Sequence, residues 1–363
     1  MQEVCYLYSK RGLNFFEQLF FSHPIPTSMK SSLAPVMAAV FTAAGALFGQ
    51  VYTPPVGYVS LTVPANSDAA LGAPLERASE FQGIVQSING NVITLAGQPG
   101  WATNRFVYEA GVQSKTYYLR IDSDSKEGLT LPIASNDSSS VTVTIPAGED
   151  LSGILTNAVD GSGNGSTVSI SPYWTISSLF SGAIPGTQIL VSPTTTPGIN
   201  LPLVTYTFNG TNWVRGSSFA NDDVIGTNQG LLIRNNSTTT AVNLTITGAV
   251  PMSQHRMRLS TLAANTRQDI RFFYNSPVPE VIGSVFNVGS LNPGDQLLFI
   301  DNTATGKNKP AGTLIWNGSN WVQGSTIVTS TFSLNPGQSY IFRKNQSSTP
   351  SSVLWADVQS YLQ

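Results

Sequence analysis

The chain is poor in the residues that carry most enzyme chemistry. Its 363 residues hold two histidines, one cysteine and only 10% charged side chains. Cys5 falls in an amino-terminal leader, so the mature chain has no disulfide, no catalytic thiol and no cysteine-ligated metal. His23 falls there too, which leaves His255 as the proton shuttle available near neutral pH. A histidine-based zinc site fails on ligand count, and a Ser-His-Asp triad would have to use His255, with Asp269 to orient it. No Gly-x-Ser-x-Gly elbow accompanies that histidine. Eighteen basic residues scattered among 20 acidic ones give a net charge of −2, and without a clustered basic field a nucleic-acid partner is excluded. Sparse charge is also unlike helices, which need Glu, Lys and Arg on their wet faces. With 32 Gly and 22 Pro, the composition is that of turn-rich β structure.

The amino terminus carries export grammar. Met29-Lys30-Ser31-Ser32 precedes an apolar run from Leu33 to Phe48, too short for a comfortable bilayer span and ending in small residues. Residues 1–49 are assigned to a signal peptide cut after Gly49, with Ala46 as the alternative site. Residues 1–28 form an extension that a start codon placed too far upstream explains; the competing reading is one long anchor. Removing 1–49 takes away Lys10, Arg11, Lys30, Glu3 and Glu17 and leaves 15 basic against 18 acidic residues. The expected location is secreted, periplasmic or cell-surface, with no membrane span in the mature chain. The last residues, 353–363, are short and contain Asp357, which suits a final strand or an amphipathic turn better than a sorting anchor.

The body reads as strands. Residues 56–64 alternate apolar with polar or small residues, and residues 83–88 and 91–95 flank Asn89-Gly90, a pair that tolerates the positive φ of a hairpin turn. Further strands are expected at 105–109, 116–121, 128–133 and 141–145, a spacing of about ten residues that fits a small barrel or sandwich. Past the Asp160–Ser166 loop a repeat begins. Phe208-Asn209-Gly210-Thr211-Asn212-Trp213 returns 108 residues later as Trp316-Asn317-Gly318-Ser319-Asn320-Trp321, as Pro185-Gly186 returns at Pro293-Gly294. Ile233-Arg234-Asn235 matches Phe342-Arg343-Lys344 one residue out of that register. A unit used twice buries one face against its twin. The expected class is therefore all-β: an N-terminal module over 50–180, with 80–180 readable as an insertion into the second domain, then a duplicated sandwich or barrel-like unit over 181–363 with repeats 185–235 and 293–344.

Val56-Gly57-Tyr58-Val59, Pro172-Tyr173-Trp174-Thr175, the two Asn-Gly-x-Asn-Trp hairpins and Ile233-Arg234-Asn235-Asn236 together resemble an uncharacterised family of secreted β-rich proteins found in Verrucomicrobia and related bacteria. The resemblance covers most of the mature chain. It implies export and a β fold, and it brings no catalytic residues with it.

Candidate sites are few. Trp213, Trp321 and Trp101 could stack on sugar faces if their rings are exposed, or pack across their hairpins if they are not. Asp122-Ser123-Asp124 resembles the opening of a calcium loop, but Lys126 takes the third ligand position, so a polar hairpin is the competing reading. The loop at 160–166 lacks the lysine of a phosphate cradle, and no cofactor motif is present. Glu76, Glu80, Glu109, Glu127, Glu149 and Glu280 could supply a carboxylate pair for glycoside hydrolysis. Three readings follow: a non-enzymatic structural or adhesive surface protein able to self-assemble or to hold matrix components, a glycan-binding protein, and a polysaccharide hydrolase or lyase.

Overall fold

The computed structural model describes residues 55–157, 164–286, 289 and 291–363. The export signal read at 1–49 and the first half of the 160–166 loop lie outside the described residues.

The fold is all-β. β1 (Val56–Val63) and β2 (Ser67–Leu71) lead into a closed barrel of β3 (Phe81–Asn89), β4 (Val92–Leu95), β5 (Tyr117–Ile121), β6 (Thr130–Asn136), β7 (Ser140–Val143) and β8 (Thr167–Pro172). Its strands close in the order β3-β4-β7-β6-β5-β8. Closure needs local bending, and the register slips at Val85/Ser87 and Ile133/Ser135 supply it. Alternation along the strands aims Val85, Ile93, Leu119, Leu131 and Val141 inward, and a barrel this small is filled by its own side chains. In the first hairpin the loop residues are Gly90 and Asn91, so the positive φ of +60° falls on the glycine.

Residues 105–109 do not form a strand. Their loop carries Phe106 into the barrel core, where it meets Trp101 at 4.9 Å and Tyr117 at 5.3 Å between ring centres. Asn136 holds the loop there, accepting from Phe106 N–H at 2.9 Å and donating to the Ala102 carbonyl at 2.9 Å. Burying the ring outweighs the strand propensity of the segment.

After the barrel come β9 (Trp174–Thr175), β10 (Gln188–Val191), β11 (Val204–Phe208), β12 (Trp213–Arg215), β13 (Ser218–Phe219), β14 (Val224–Ile225), β15 (Leu231–Asn235) and β16 (Val242–Ala249). The remaining strands are β17 (His255–Ser260), β18 (Gln268–Phe273), β19 (Glu280–Val281), β20 (Gln296–Phe299), β21 (Gly312–Trp316), β22 (Trp321–Gln323), β23 (Thr326–Ile327), β24 (Ser333–Leu334), β25 (Ser339–Lys344) and β26 (Ser352–Asp357). Two six-stranded sheets result, β2-β15-β10-β11-β12-β13 and β18-β25-β20-β21-β22-β23, with the same order of elements. Each is accompanied by a long two-stranded ribbon, β1-β16 or β17-β26, and by a short one, β9-β14 or β19-β24. Because β1 and β2 pair with β16 and β15, residues 56–71 belong to the first sheet unit. The barrel enters between β2 and β9, where the second unit runs straight from β18 to β19.

The two units grip each other reciprocally. On β2, Asp68 receives a forked pair of bonds from Arg234 of β15, at 2.8 and 2.9 Å. The loop after β20 reaches across to this pair: Asn308 N–H donates to Asp68 at 2.7 Å, and its side-chain oxygen accepts from Arg234 at 2.6 Å. The same clasp recurs with the units exchanged. Arg343 of β25 grips Asp269 of β18 at 2.6 and 2.9 Å, and Asn200, from the loop after β10, closes it at 2.8 Å on both partners. Asn200 and Asn308 both take a left-handed backbone, φ 53° and 51°, which asparagine tolerates. Where the units meet, a Cβ on Gly72 would lie 2.2 Å from that of Phe273, so only glycine fits.

Candidate functional site

The tryptophans named from the hairpins are inside the fold. Trp213 and Trp321 are 2% and 1% exposed. Each pairs across its hairpin, with Phe208 at 5.3 Å and Trp316 at 5.7 Å, and meets a second ring, Phe180 at 5.9 Å or Phe286 at 5.6 Å. Each loop has four residues rather than two, because Phe208 pairs with Trp213 and Trp316 with Trp321. Asn209 and Asn317 stabilise the bends by accepting two following backbone N–H groups. Trp101, 8% exposed, packs edge-on against Phe81 at 4.7 Å. Their ring faces are covered by protein, which gives them a packing role and withdraws them as stacking surfaces.

Most of the candidate carboxylates are also engaged. Asp122 accepts from Arg120 at 2.6 Å, while Asp124 accepts from the Ser123 and Ser166 hydroxyls. No group of three or more His, Cys, Asp or Glu side chains that could hold a metal occurs among the described residues. Asp269 serves the clasp, and His255 instead accepts a long 3.4 Å bond from Asn275 N–H, so no triad assembles around them. Glu80 takes Lys115 and the Tyr117 hydroxyl, and these bonds outweigh its burial and hold its carboxyl below the usual range. Glu109 lies on the barrel loop, opposite Gln113. Glu127 accepts from Gln254 N–H at 2.9 Å; Glu149 receives Arg256 at 2.9 Å and Arg258 at 2.7 Å. These last two carboxylates tie the barrel to the second unit.

The structure assembles two places that the sequence did not single out. The first is the junction of the barrel with both sheet units. Tyr118 and Pro172 of the barrel, Leu75, Glu76, Arg77, Trp174 and Asn228 of the first unit, and Phe273 and Asn275 of the second surround a cavity of about 40 Å³. That is room for a few waters and too little for a sugar ring. Glu76 and Asp122 share Arg120 beside it. Trp174, which is only half-buried, anchors its indole N–H on the Leu75 carbonyl at 2.9 Å, with the Arg77 guanidinium 5.9 Å from the ring centre. It is the one tryptophan of the six absent from the buried core, and it presents a cation beside an aromatic face.

The second is a knot of titratable groups below the carboxyl terminus. His255 and Asp357 are direct cross-strand partners on β17 and β26. The His255 ring lies against Trp355 at 4.4 Å and Tyr274 at 5.0 Å, and the Tyr274 hydroxyl donates to Asp357. Burial pulls His255 down to about 3, so it is neutral. Since Nδ1 accepts, the proton sits on Nε2, which has no partner among the described residues. Burial, and then the charge of Glu280, push Asp357 up to about 6, against the Tyr274 hydrogen bond. Glu280 is itself buried, accepting from Ser360 N–H at 2.8 Å and its hydroxyl at 2.6 Å. The Tyr361 hydroxyl, on the Pro251 carbonyl at 2.6 Å, seats the final turn against the core of the first unit. Two carboxyls do converge here, the buried Glu280 and the half-buried Asp357, but beneath the carboxyl-terminal turn rather than in a cleft.

Comparison of the chain with protein-family models, with curated proteins and with solved structures finds no match in any of the three.

Proposed function

We propose that this chain is an exported, non-enzymatic β protein that works at the cell surface as a structural or adhesive component, with the barrel carried on a platform of two duplicated sheet units. The observation that carries this reading is where the few charges are placed. The clasps Asp68-Arg234-Asn308 and Asp269-Arg343-Asn200 join the sheet units, and Glu149 with Arg256 and Arg258 joins the barrel to them. A chain with 10% charged residues that spends them as internal ties is built for rigidity. Breaking a well-formed, partly buried pair by removing one partner costs about 3–5 kcal/mol. The test is fractionation of cells producing an epitope-tagged chain, with electron microscopy of the surface. Enrichment in the envelope, with ordered or adhesive material, supports the reading; a soluble monomer missing from surface fractions defeats it.

Trp174 favours a second reading, glycan binding at the junction instead of at the hairpins. An indole that keeps part of its surface exposed, with the Arg77 guanidinium over its ring, is a place where a sugar can pack outside the small cavity. Retention of the chain in a glycan-containing gel should then be lost in Trp174→Ala with the far-UV spectrum unchanged; unaltered retention removes this reading.

A further inference from the structure

The two clasps differ at one position. Two residues beyond the clasp aspartate, the first unit has Ala70 and the second Arg271. At Ala70 the seam is closed: Asn302 accepts from its N–H at 2.7 Å and donates to its carbonyl at 2.8 Å. At Arg271 the main chain is met by Gly230, whose N–H donates to its carbonyl at 3.2 Å, but the side chain is not closed in the same way. The guanidinium donates once, from Nε to the Ser192 hydroxyl at 3.3 Å, and among the described residues no carboxylate pairs with it. Asp269, two residues back on the same strand, has both oxygens engaged by Arg343 and Asn200. A half-buried cation without a counter-charge carries a cost that an aliphatic side chain in the same space would avoid. Burial accordingly lowers Arg271 to about 10, with Asp269 only partly opposing it.

We propose that Arg271, with the Ser192 hydroxyl, forms the base of a binding site for an oxyanion (carboxylate, sulfate or phosphate) at the seam between the two sheet units. The planar guanidinium offers parallel N–H donors that match two oxygens of such a group. The exposed Thr194 and Thr195 follow Ser192 on the same loop. The site rests on the seam's geometry alone. That its anion belongs to an acidic surface polymer rests on the function proposed above.

The test is thermal unfolding of the whole chain in sodium sulfate, phosphate or acetate against sodium chloride of equal ionic strength. Wild type should show a saturable rise of a few degrees in midpoint, as expected for about tenfold excess of ligand over Kd, above the non-saturating effect of excluded salts. Arg271→Met should lose the saturable part and Arg271→Lys should keep a weakened one, while Arg215→Gln, at an exposed arginine elsewhere, should match wild type. A saturable response that survives in Arg271→Met, or its absence in wild type with all three anions, overturns the site. If Arg271→Met does not fold, a selenate-soaked crystal of wild type decides: an anomalous peak on Arg271 supports the site and a bare guanidinium overturns it. Polygalacturonate against neutral dextran in affinity electrophoresis then separates the sources. Retardation by the polyuronate alone supports a surface polymer, whereas binding of small anions without retardation keeps the site and removes that source.

Discussion

Replacing His255 by glutamine should change how stability depends on pH, because the native fold holds this imidazole neutral. Its ring is 1% exposed between Tyr274 and Trp355, and burial lowers its pKa from 6.5 to about 3. The unfolded chain therefore binds a proton that the native state refuses. The stability this provides is full above pH 6.5 and is lost as pH falls toward 3, at about 1.4 kcal/mol per pH unit. Between pH 7 and 5 the loss is about 2 kcal/mol. Asp357 acts with the opposite sign. Its native pKa is raised from 3.8 to about 6, so its contribution is full below pH 3.8 and is lost as pH rises through 6. Acidification from pH 7 to 5 thus returns part of the loss, about 1 kcal/mol at most once its partial exposure is allowed for. Wild type should lose about 1 kcal/mol over this window, and His255→Gln, less stable at pH 7 for its lost ring packing, should hold level or gain. Asp357→Asn should show the full histidine slope. The lowered carboxyls Asp68, Glu80 and Glu149 lose their contributions below about pH 4–5 and stay silent in this range. Urea unfolding followed by tryptophan fluorescence at pH 7, 6 and 5 and constant ionic strength measures all three slopes. Equal slopes in wild type and His255→Gln would refute the buried neutral histidine.

Gly72→Ala places a methyl carbon on Phe273 across the seam and should cost about 1–3 kcal/mol by denaturant unfolding; a neutral result would mean that the units do not approach there. Trp213→Ala and Trp321→Ala should each cost about 3–5 kcal/mol, whereas Trp174→Ala should cost distinctly less, so equal losses would place all three rings alike. Asn308→Ala removes the side-chain acceptor of Arg234 and should cost about 1–2 kcal/mol. Asp68→Ala strands that arginine and should cost about 3–5 kcal/mol; a smaller loss than in Asn308→Ala would show that the clasp is not organised around the aspartate.

The parts of this fold that were legible in the sequence are those set by local rules. Alternation marked β1 and most barrel strands, and paired aromatics around Asn-Gly marked the hairpins, because strand periodicity and turn chemistry act over a few residues. The fixed shift of 108 between Trp213 and Trp321 also runs through Gly198 and Gly306 and through Asn200 and Asn308, a signal that could have pointed to the clasps. Their other halves were hidden. Asp68 precedes the barrel while Arg234 follows it, and nothing along the chain pairs them. The segment 105–109 misled for the converse reason: its local pattern suits a strand, but Phe106 gains more by entering the barrel. The knot of His255, Tyr274, Glu280 and Asp357 was invisible since its chemistry comes from burial and cross-strand register, neither of which composition carries.

Duplication explains why the charges sit where they do, and why the exceptions are informative. When two copies of one unit meet across an axis, every contact is made twice unless the sequence has diverged. The clasps are contacts still made twice, with aspartate, arginine and asparagine retained on both sides. At the crossing itself equivalence is sterically impossible, since two phenylalanines cannot share one place, and the pair has resolved into Gly72 against Phe273. Sterics therefore accounts for one broken equivalence. The Ala70 and Arg271 difference is of another kind: Asn302 closes Ala70, whereas its counterpart 108 residues earlier is Thr194 and the Arg271 carbonyl is met by Gly230 instead. A half-buried cation kept where the equivalent position is neutral is the feature of the seam that packing leaves unexplained, and a bound anion is what would make it favourable.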